Sequence, residues 1–564
     1  MSVNRNQLFR ILFVIIFLKL LFLLVLYMRS NVYINQETSM VSGKPIKVQI
    51  YDKLLIDRRG EPSLKQRLKW IRKEMPSFPL DELLNRQNLA EDPKQCGFVP
   101  HILNIRFHND YWQTAKTKNL TYFLFGAYYD NREAVPEAPL VRLLAMIDTP
   151  STKDYQYPKI YCQFWLKDQK EPVIVPVSSH KKMWPFGWAP ERFYPHFLDC
   201  PLPEGDYKWM IPQMVSLVAK RCERGTNLLK VIYEPDEDKD KDKDDVLTSD
   251  NQNASRFVVC VKTMDFLYVD KSWRLIEWLE LMRLLGVGKV VLYDGNMHTN
   301  MSRVVHHYLE TNSEFVELRP MSLGRGEPHS PTHFHHYAMM DDGFNRILNE
   351  MIPYNDCFYR NMYRYDYVGV FDIDEVIMPL HNVTNWSELV ELARIVPDYG
   401  GVTPENCTEW VSFCFRNVYF PRYPERPKVY KNLSSSFYML QHVERVQQHC
   451  NRGDAAKCLH DTRFAVALHN HFTFYHTEEA SCKAKSVPIA YAQLHHYREP
   501  DTKSLLINPI IDDNIWRFQP ELQQRIEHKY KTLGFLPDRH KLQEIETHRR
   551  HLDEQQLKDA IIHS

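Results

Sequence analysis

The pattern of apolar and polar positions begins with one long apolar run near the start of the chain. Residues 11–28 contain fifteen Leu, Ile, Phe and Val side chains and one lysine, Lys19, and a helix of this length spans a membrane. A lysine in the membrane costs about 2.5–3.5 kcal/mol, which is less than the summed gain of about 0.3–0.6 kcal/mol from each large apolar residue. No small-residue cleavage site follows, so the pattern predicts an uncleaved anchor over 11–28 behind a tail of residues 1–10.

Three segments of different pattern follow the apolar run. Residues 29–95 are polar and charged and contain several prolines, which indicates a stem. Residues 96–233 contain short aromatic and aliphatic runs, such as Tyr122–Tyr129 and Val141–Ile147, and predict a small β-rich accessory domain. Residues 234–255 are predicted to be a charged linker, because the segment EPDEDKDKDKDD has almost nothing to bury. Its carboxylates could bind calcium, but the interleaved lysines and the missing glycine turn favour a solvated segment.

From residue 256 the pattern alternates between strand and helix periodicity. The predicted strands are Phe257–Thr263, Lys289–Tyr293, Phe315–Leu318 and Tyr367–Phe371. The predicted helices are 272–285, Met301–Glu310, Phe344–Met351 and Trp386–Ile395, the first of them capped by Ser272 and ended by Gly286 and Gly288. This alternation predicts an α/β domain over 256–540, with ligands at the carboxyl ends of its strands, and a C-terminal tail over 541–564.

Composition and charge narrow the function classes. The chain has 564 residues, of which 44% are hydrophobic and 25% charged, and these are values typical of globular proteins. Lys plus Arg equals Asp plus Glu at 71 each. The chain therefore has no overall basic field, which argues against nucleic acid as a partner.

Glycosylation signals and cysteines indicate the side of the membrane on which the body of the protein lies. The Asn-x-Ser/Thr signal occurs at Asn119, Asn253, Asn300, Asn382, Asn385, Asn406 and Asn432. This is more than the roughly two or three expected by chance. All eleven cysteines follow the apolar run and none forms a Cys-x-x-Cys pair, which favours disulfides with at least one cysteine left over. These features predict a type II membrane protein of the secretory pathway.

An acidic cluster, Asp372-Ile373-Asp374-Glu375, stands at the end of the last predicted strand. Two aspartates two positions apart extend from one side of an ending strand, where Mn²⁺ or Mg²⁺ can bridge them to a diphosphate. Such a cation neutralises the charge that develops on a departing nucleoside diphosphate. Asp-x-Asp triplets also occur in the charged linker, so the position after a buried strand is what favours a site over a solvated strand end.

Three blocks of sequence carry a family resemblance. They are VVCVKTMDF with SWRLIEWLELMRLLGVGKVVLYD, then NDCFYRNMYRYDYVGVFDIDEVIMP, then AQLHHYR. In this order they resemble glycosyltransferase family 92 over 256–498, a little under half of the chain. The resemblance implies a GT-A fold, which is a Rossmann-like nucleotide-sugar-binding domain. It also implies a metal-dependent, inverting transferase that moves a sugar, most often galactose from UDP-galactose, onto a glycan. A Golgi type II protein with a lumenal catalytic body is consistent with the predicted anchor and stem.

The resemblance assigns roles to residues of these blocks. Asp372 and Asp374 match the acidic metal motif, with Asp374 as the direct ligand, and His496 matches a histidine that returns to the metal. The residues expected near the donor nucleotide are Asp294, Asn355, Asp356, Arg360 and Asp372. His495 stands where the family usually has an apolar residue, so the register of the metal-binding histidine is open by one position. Cys357 is expected in a disulfide or in the core rather than in catalysis.

An inverting transfer also needs a base that takes the proton of the acceptor hydroxyl group. The candidates are Glu405 and Glu409, with Glu478 and Glu479 behind them, although each alone is more often a surface residue. The segment WVSFCFRN lacks the glycine expected after its Trp-x-x-Phe motif, which leaves the acceptor specificity open.

Histidines and aromatic residues offer further hypotheses. The histidines crowded into one stretch are His329, His333, His335 and His336. The hypothesis that they bind zinc is weaker than the hypothesis that they are surface histidines, because the chain has no HExxH motif. His469 lies in a segment that resembles the strand after the catalytic block, so an active-site role is open for it. The accessory domain could bind carbohydrate through Trp112, Tyr128, Tyr129, Trp165, Trp184 and Trp188, but such aromatics are more often core residues.

Three functions therefore compete at this stage. The leading one is a Golgi glycosyltransferase that uses a UDP-sugar and Mn²⁺ or Mg²⁺ and extends a glycan on a glycoprotein or glycolipid. The second is a catalytically inactive relative that acts as a glycan-binding or scaffold protein of the secretory pathway. The third is a zinc-dependent hydrolase that uses the histidine cluster.

Overall fold

The computed structural model describes residues 61–86, 94–150, 155–184, 193–235, 256–324, 332–340, 343–399, 407, 409–421, 430–431, 433–434, 436–478 and 482–535. The predicted anchor, most of the stem, nearly all of the charged linker and the C-terminal tail lie outside these residues. Also outside them are Glu405, Glu479, Asn253, Asn406, Asn432, His329 and Trp188. None of the helices in the described ranges has the length and apolarity that crossing a membrane requires. The chain divides into two compact units, residues 1–73 and 74–564.

The accessory domain is built around a nine-stranded sheet. Helices α1 (Leu64–Glu74) and α2 (Leu80–Arg86) precede it in the chain. The strands are β1 (Gln113–Lys116), β2 (Thr121–Asp130), β3 (Leu140–Ile147), β4 (Tyr161–Trp165), β5 (Val173–Pro176), β6 (Ser179–Lys182), β7 (Tyr194–Pro201), β8 (Met214–Val218) and β9 (Leu229–Ile232). Their order is β5-β4-β8-β9-β2-β3-β7-β6, with β1 beside β2. Disulfides Cys96–Cys222 and Cys162–Cys200 lie within this domain.

The second part of the chain alternates strands and helices, as its periodicity predicts. Its helices are α3 (Ser272–Leu284), α4 (Thr299–Thr311), α5 (Thr332–Met340), α6 (Gly343–Asn361), α7 (Trp386–Ile395) and α8 (Gln519–Leu533). Its strands are β10 (Phe257–Phe266), β11 (Val287–Met297), β12 (Val316–Pro320), β13 (Tyr367–Phe371), β14 (Glu375–Pro379), β15 (Trp410–Phe415), β16 (Asn417–Tyr419), β17 (Glu444–Arg445), β18 (Lys457–Asp461), β19 (Ala465–Leu468), β20 (Thr473–His476), β21 (Cys482–Ser486), β22 (Ala492–His496) and β23 (Ile510–Ile511).

Seven of these strands form one sheet in the order β12-β11-β10-β13-β18-β15-β21. The first four strands in that order are mutually parallel, whereas β18 runs antiparallel to both of its neighbours. Strand β13 and the first five residues of β10 are apolar and buried, as expected of parallel strands that are covered on both faces. The carboxyl ends of the four parallel strands therefore meet along one edge, which we call the carboxyl edge.

The start of helix α3 differs from the sequence prediction. Ser272 is the first residue of the helix rather than its cap, and its N–H donates to the carboxylate of Asp270 at 2.9 Å. The prediction of Ser272 as the cap is therefore wrong, because the aspartate two positions earlier supplies the acceptor. The end of the helix agrees with the prediction, since Gly286 has a φ of +91°, a conformation that favours glycine.

A small second sheet in the order β14-β22-β16 extends from the carboxyl edge. Strand β14 begins three residues after Asp372, and β22 pairs with it in antiparallel register so that Glu375 lies opposite His496. Strand β16 runs parallel to β22, with Tyr419 opposite His496. This pairing explains how a histidine far along the chain reaches the acidic cluster.

The accessory domain and the seven-stranded sheet share one hydrophobic core. Trp112, Phe125 and Met146 from the accessory domain belong to the same buried cluster as Val258 and Tyr293 from the sheet. Disulfide Cys260–Cys357 joins β10 to helix α6 within this cluster, as expected for Cys357. The remaining disulfides are Cys407–Cys482 and Cys414–Cys458, and Cys450 is the free cysteine that the odd count predicts.

A buried carboxylate on α3 fastens a loop near the small sheet. The two oxygens of Glu277 accept the N–H groups of Tyr438 and Leu440 at 2.5 and 2.8 Å. Burial raises the pKa of Glu277 to about 7, although these backbone donors act in the opposite direction. The carboxyl group of Glu277 therefore gives up solvation to hold the loop. It stays protonated up to a higher pH than the carboxyl group of an exposed glutamate does.

We expect Glu277→Gln to lower the free energy of unfolding by about 1–3 kcal/mol at neutral pH, because the amide can accept only one of the two N–H groups. The folded-state pKa lies above the unfolded value, so the contribution of Glu277 is fully present below about pH 4.5 and decreases toward pH 7 and above. Denaturant unfolding of the wild type and the variant at pH 5 and pH 8 measures both effects. A stability difference between them that grows toward pH 8 would contradict the prediction.

Candidate functional site

The acidic cluster occupies a tight turn at the carboxyl edge. Strand β13 ends at Phe371, and β14 begins at Glu375, whose N–H donates to the carbonyl of Asp372 at 3.1 Å. The carboxylate of Glu375 accepts the N–H of Asp372 at 2.9 Å. These two bonds close the turn, so the spacing of the two aspartates is fixed by the backbone between two strands.

Asp372 is paired with a lysine from the neighbouring strand. Val261 of β10 lies opposite Phe371 of β13, so the next residue, Lys262, is level with Asp372. The ammonium of Lys262 lies 3.1 Å from Asp372 Oδ2 and 3.2 Å from Glu350 Oε1. Burial alone would raise the pKa of Asp372, but the charges of Lys262 and Lys457 hold it well below its usual range. Asp372 is therefore ionised at every pH at which the protein would function.

Asp374 has a different electrostatic environment. Its Oδ2 lies 3.3 Å from the guanidinium of Arg274 on α3, and its Oδ1 lies 3.9 Å from His496 Nε2. Burial and the negative charge of Asp372 raise the pKa of Asp374. A second carboxylate beside the first is thus held at an electrostatic cost, which is an arrangement characteristic of cation sites and of catalytic acids.

His496 rather than His495 faces the carboxylates. His496 Nε2 lies 3.7 Å from Glu375 Oε1, and its ring stacks on Tyr419 with ring centroids 5.3 Å apart. His495 points away and contacts Gln493 and the hydroxyl of Tyr497 instead. Of the two histidines between which the sequence did not decide, His496 is therefore the one beside the acidic cluster.

Sequence reasoning missed a buried lysine beneath the cluster. Strand β18 runs antiparallel to β13, so its first residue, Lys457, lies where β13 ends. Its side chain is completely buried, and its ammonium lies 2.9 Å from Glu375 Oε2 and also contacts the side-chain oxygen of Asn470. Lys457 balances the charge of Glu375, whose carboxylate also closes the turn. The two aspartates remain the acids of this cluster that reach solvent in part, with side chains 23% and 16% exposed.

The donor atoms at this turn fit a divalent cation. Asp372 Oδ1 is buried without a hydrogen-bond partner, and His496 turns its Nε2 toward the carboxylates. Two ligands about 2.1 Å from one ion can be up to about 4.2 Å apart, which accommodates the 3.9 Å between Asp374 Oδ1 and His496 Nε2. As the side chains stand, no group of three or more His, Cys, Asp or Glu in the described ranges closes around a single point. Asp372 would have to turn part of the way from Lys262 to complete the ligand set.

A polar cavity lies along the same edge. It has a volume of about 250 Å³ and is lined by Asp294 and Asn296 near the end of β11, by Pro320 at the end of β12, and by His335 of α5. The accessory domain closes another wall with residues 109–111. Asp294 therefore lies beside a cavity, although the strand that it is expected to end continues to Met297.

The family model for glycosyltransferase family 92 matches residues 255–539, half of the chain. The chain belongs to glycosyltransferase family 92. It is accordingly a glycosyltransferase, and the matched residues contain the acidic cluster, Lys262, Lys457 and His496.

Comparisons with individual proteins add nothing to this family assignment. No curated protein matches the chain. Ferredoxin-NADP+ reductase from Plasmodium falciparum has a TM-score of 0.12 and 9% identity, and the alignment covers 49% of this chain and 90% of that one. The same reductase with 2′P-AMP has a TM-score of 0.09 and 10% identity, with 39% and 82% covered. Likenesses at these TM-scores carry no argument about fold or function.

Three residues that the resemblance places near the donor are buried among the protein's own side chains. Asn355 on α6 bonds both the N–H and the carbonyl of Leu468. Asp356 accepts the hydroxyls of Tyr128 and Tyr293 and pairs with Arg360 at 2.9 Å. These contacts join α6 to the accessory domain and to β11, and they do not include the acidic cluster.

Glu409, a described base candidate, is not brought to the acidic cluster. Glu409 precedes β15, which runs in the same direction as β13, whereas Asp372 follows β13. Glu409 therefore lies at the opposite edge of the sheet, where it pairs with Arg463 at 2.9 Å. Glu478 is exposed at the end of a described segment.

The described histidines of the crowded stretch contact Asp265 and Tyr268, and they form no metal-ligand group with other residues of the described ranges. His336 Nδ1 lies 2.6 Å from Asp265 Oδ1, His335 Nδ1 lies 3.6 Å from Asp265 Oδ2, and His333 contacts the hydroxyl of Tyr268. His469 is buried against Phe472, and burial lowers the pKa of His469 to about 3. The imidazole of His469 is consequently neutral at physiological pH, and its stacking gives it a packing role.

The aromatic residues proposed for carbohydrate stacking are core residues wherever they are described. Trp112, Tyr128, Tyr129, Trp165 and Trp184 are all buried. A sugar ring cannot reach them, so the carbohydrate-binding hypothesis is wrong for these side chains. An exposed aromatic that sequence reasoning missed is Trp209, which is 66% exposed in the loop between β7 and β8.

Proposed function

We propose that this glycosyltransferase moves galactose from UDP-galactose onto a glycan acceptor with inversion, using Mn²⁺ or Mg²⁺ held by Asp372, Asp374 and His496. The observation that carries the proposal is the approach of the His496 imidazole to the Asp374 carboxylate, at 3.9 Å, in the turn at the carboxyl edge that also contains Asp372. Nucleotide ligands of open α/β sheets bind at this edge. Galactose enters the proposal through the family resemblance.

The order of strands supports a GT-A fold for the matched residues. The four parallel strands follow the order third, second, first and fourth along the chain, as in a nucleotide-binding half. The antiparallel β18 then separates β13 from β15. This order places the ends of β10, β11 and β13, and with them the acidic cluster and the cavity, along one edge.

The residues divide the work of the proposed reaction. Asp372, through its unpartnered Oδ1, and Asp374, through Oδ1, would hold the cation, and His496 Nε2 would complete the ligand set. When bound, the cation supplies positive charge against the diphosphate leaving group. Asp294 contacts the nucleoside in the cavity beside β11. Glu405 stays the candidate for the base, since Glu409 lies at the opposite edge.

We also propose a Golgi location, with the anchor over 11–28 and the catalytic body in the lumen. Five disulfides among the described residues fit an oxidising compartment. Two of the glycosylation signals, Asn119 and Asn382, are on exposed residues, whereas Asn385 caps helix α7 through its side chain. The acceptor is then a glycan on a glycoprotein or glycolipid passing through the same compartment.

We expect Asn119 to carry an N-linked glycan when the full chain is made in a eukaryotic secretory pathway, because its side chain is exposed in a loop. Asn119→Gln should remove one glycan, seen as a smaller loss of mass on digestion with peptide N-glycosidase. Asn385→Gln serves as the comparison, because the helix cap already uses that side chain. A body without any glycan would contradict the lumenal orientation.

One observation favours a second function, that of an inactive family member that binds glycans or acts as a scaffold. Both aspartates pair with protein cations, Lys262 and Arg274, so the acidic pair is already compensated. In an inactive member these ion pairs would be permanent and structural. Both functions predict the same fold, so they separate only on donor binding and turnover.

The experiment is a panel of UDP- and GDP-sugars presented to the full-length protein with Mn²⁺, scored by release of the nucleotide and by transfer to mixed glycans. The proposal predicts turnover of UDP-galactose above every other donor. Turnover of another sugar alone would keep the enzyme and change the donor. No turnover and no binding of any donor by folded protein would overturn the proposal in favour of the second function.

A further inference from the structure

We propose that Lys262 and Arg274 are resident counter-ions of the acidic pair, and that they pass to the diphosphate of the donor when a divalent cation binds. This inference rests on the function proposed above, and it assigns a task to two side chains that have had none so far. Each of them contacts one aspartate through a single carboxylate oxygen. A diphosphate is the anion that a cation site at this edge would bring next to them.

Lys262 is held at the acidic pair by the sheet itself. It follows the buried Val261 on β10, and its side chain is 28% exposed while its ammonium lies between Asp372 and Glu350. A lysine directly after the five apolar, buried residues that begin β10 is unusual unless it is paired. Because part of the side chain reaches solvent, a ligand arriving at the edge can contact the ammonium.

Arg274 is held in place by stacking rather than by strand register. Its guanidinium lies 3.8 Å from the ring centre of Tyr438 and 3.3 Å from Asp374 Oδ2. Arginine forms forked hydrogen bonds with phosphate oxygens, and stacking on an aromatic ring leaves those donors pointing sideways. The side chain can therefore exchange a carboxylate for a phosphate partner without leaving Tyr438.

The charge balance at the turn links the cation to the diphosphate. The acids are Asp372, Asp374, Glu375 and Glu350, and the permanent bases paired with them are Lys262, Lys457, Arg274 and Arg346. The four negative and four positive charges cancel, which leaves no net negative charge for a divalent cation bound alone. A bound diphosphate would supply the missing negative charge and take over the two released bases. The cation and the diphosphate should therefore bind cooperatively.

The test measures Mn²⁺ binding to the full-length protein from the electron paramagnetic resonance signal of free Mn²⁺, without and with UDP. Lys262→Met removes the charge and keeps the length of the side chain. We expect it to bind Mn²⁺ alone about tenfold more tightly, because a competing positive charge is gone. At saturating Mn²⁺ it should bind UDP about tenfold more weakly. Arg274→Met, on a different element, should shift both affinities in the same directions.

Lys289→Met is the matched control. Lys289 of strand β11 pairs with Glu317 of strand β12 at 3.1 Å, and this ion pair includes neither Asp372 nor Asp374. Lys289→Met should leave both affinities unchanged. If Lys262→Met and Arg274→Met weaken Mn²⁺ and UDP alike, or change neither, the counter-ion exchange is wrong while the proposed function stands. If the wild type binds no Mn²⁺ with or without UDP, the cation site of the proposed function fails, and the exchange fails with it.

Discussion

Asp374→Asn is expected to lower the rate of glycosyl transfer by at least about 10²–10³-fold while the protein remains folded. The amide keeps the shape of the carboxylate but removes the charge that would hold the cation opposite the leaving diphosphate. Loss of one electrostatic contact to a transition state commonly costs this much in rate. Removing a carboxylate whose pKa is already raised by burial and by Asp372 also relieves repulsion, so stability should not fall. UDP release and thermal unfolding of the same preparation measure both effects.

Asp454→Asn provides the matched control for this result. Asp454 is an exposed aspartate that bonds Asn451 at 3.1 Å on the surface. Its replacement should leave the rate within about twofold of the wild type, because exposed charges contribute little. An Asp374→Asn protein with the same rate as this control would show that the acidic pair does not take part in the reaction.

Asp356→Asn is expected to lower the free energy of unfolding by about 3–5 kcal/mol, because it leaves the buried guanidinium of Arg360 without its principal charge partner. Burial would raise the pKa of Asp356, but Arg360 and Arg319 keep it below its usual value. The stabilisation is therefore present above about pH 4 and is lost as the pH falls through the lowered value. Denaturant unfolding of the full-length protein at neutral pH measures the cost.

The same variant separates two roles for Asp356. If the residue only joins α6 to the accessory domain and to Tyr293, the turnover number of the folded fraction should stay within about threefold of the wild type. If it binds the donor, as the family resemblance implies, turnover should fall with little loss of stability. Asp366→Asn is the control, since the exposed pair of Asp366 with Arg256 should contribute at most about 1 kcal/mol.

Much of the fold could be predicted because its signals are local. The bounds of β13 and α7 agree with the hydrophobic pattern to the residue, since a buried strand and an amphipathic helix each have a period visible in a short window. The acidic pair could be found for the same reason, because it directly follows a strand. Lys262 also left a signal, as a charged residue directly after the apolar residues that begin β10.

The rest of the site depends on long-range pairing that no local pattern encodes. Lys457 reaches the cluster only because β18 inserts antiparallel beside β13, and Glu409 is carried to the far edge by the same insertion. Asp356 and Arg360 stand next to Cys357 in a block that looks catalytic. The packing of α6 against the accessory domain decides that the side chains of Asp356 and Arg360 bind one another and not the acidic cluster. A local sequence pattern does not reveal this packing.

The shared hydrophobic core shows that the accessory domain is not a separate module. A charged linker in the sequence suggests separate modules, yet Gly324 approaches Trp112 so closely that an added Cβ would lie 2.5 Å from its ring. The accessory domain also lines the cavity next to Asp294. Its contribution is therefore to the wall of the site and to the stability of the sheet.

The central claim is metal-dependent transfer at the acidic pair, and one measurement tests it most directly. Full-length protein is treated with EDTA, assayed for UDP release from UDP-galactose, and assayed again after Mn²⁺ is restored. We expect EDTA to abolish release and Mn²⁺ to restore it in the wild type but not in Asp374→Asn. Release that continues in EDTA, or that Mn²⁺ restores equally in the wild type and Asp374→Asn, would contradict metal-dependent transfer at the acidic pair.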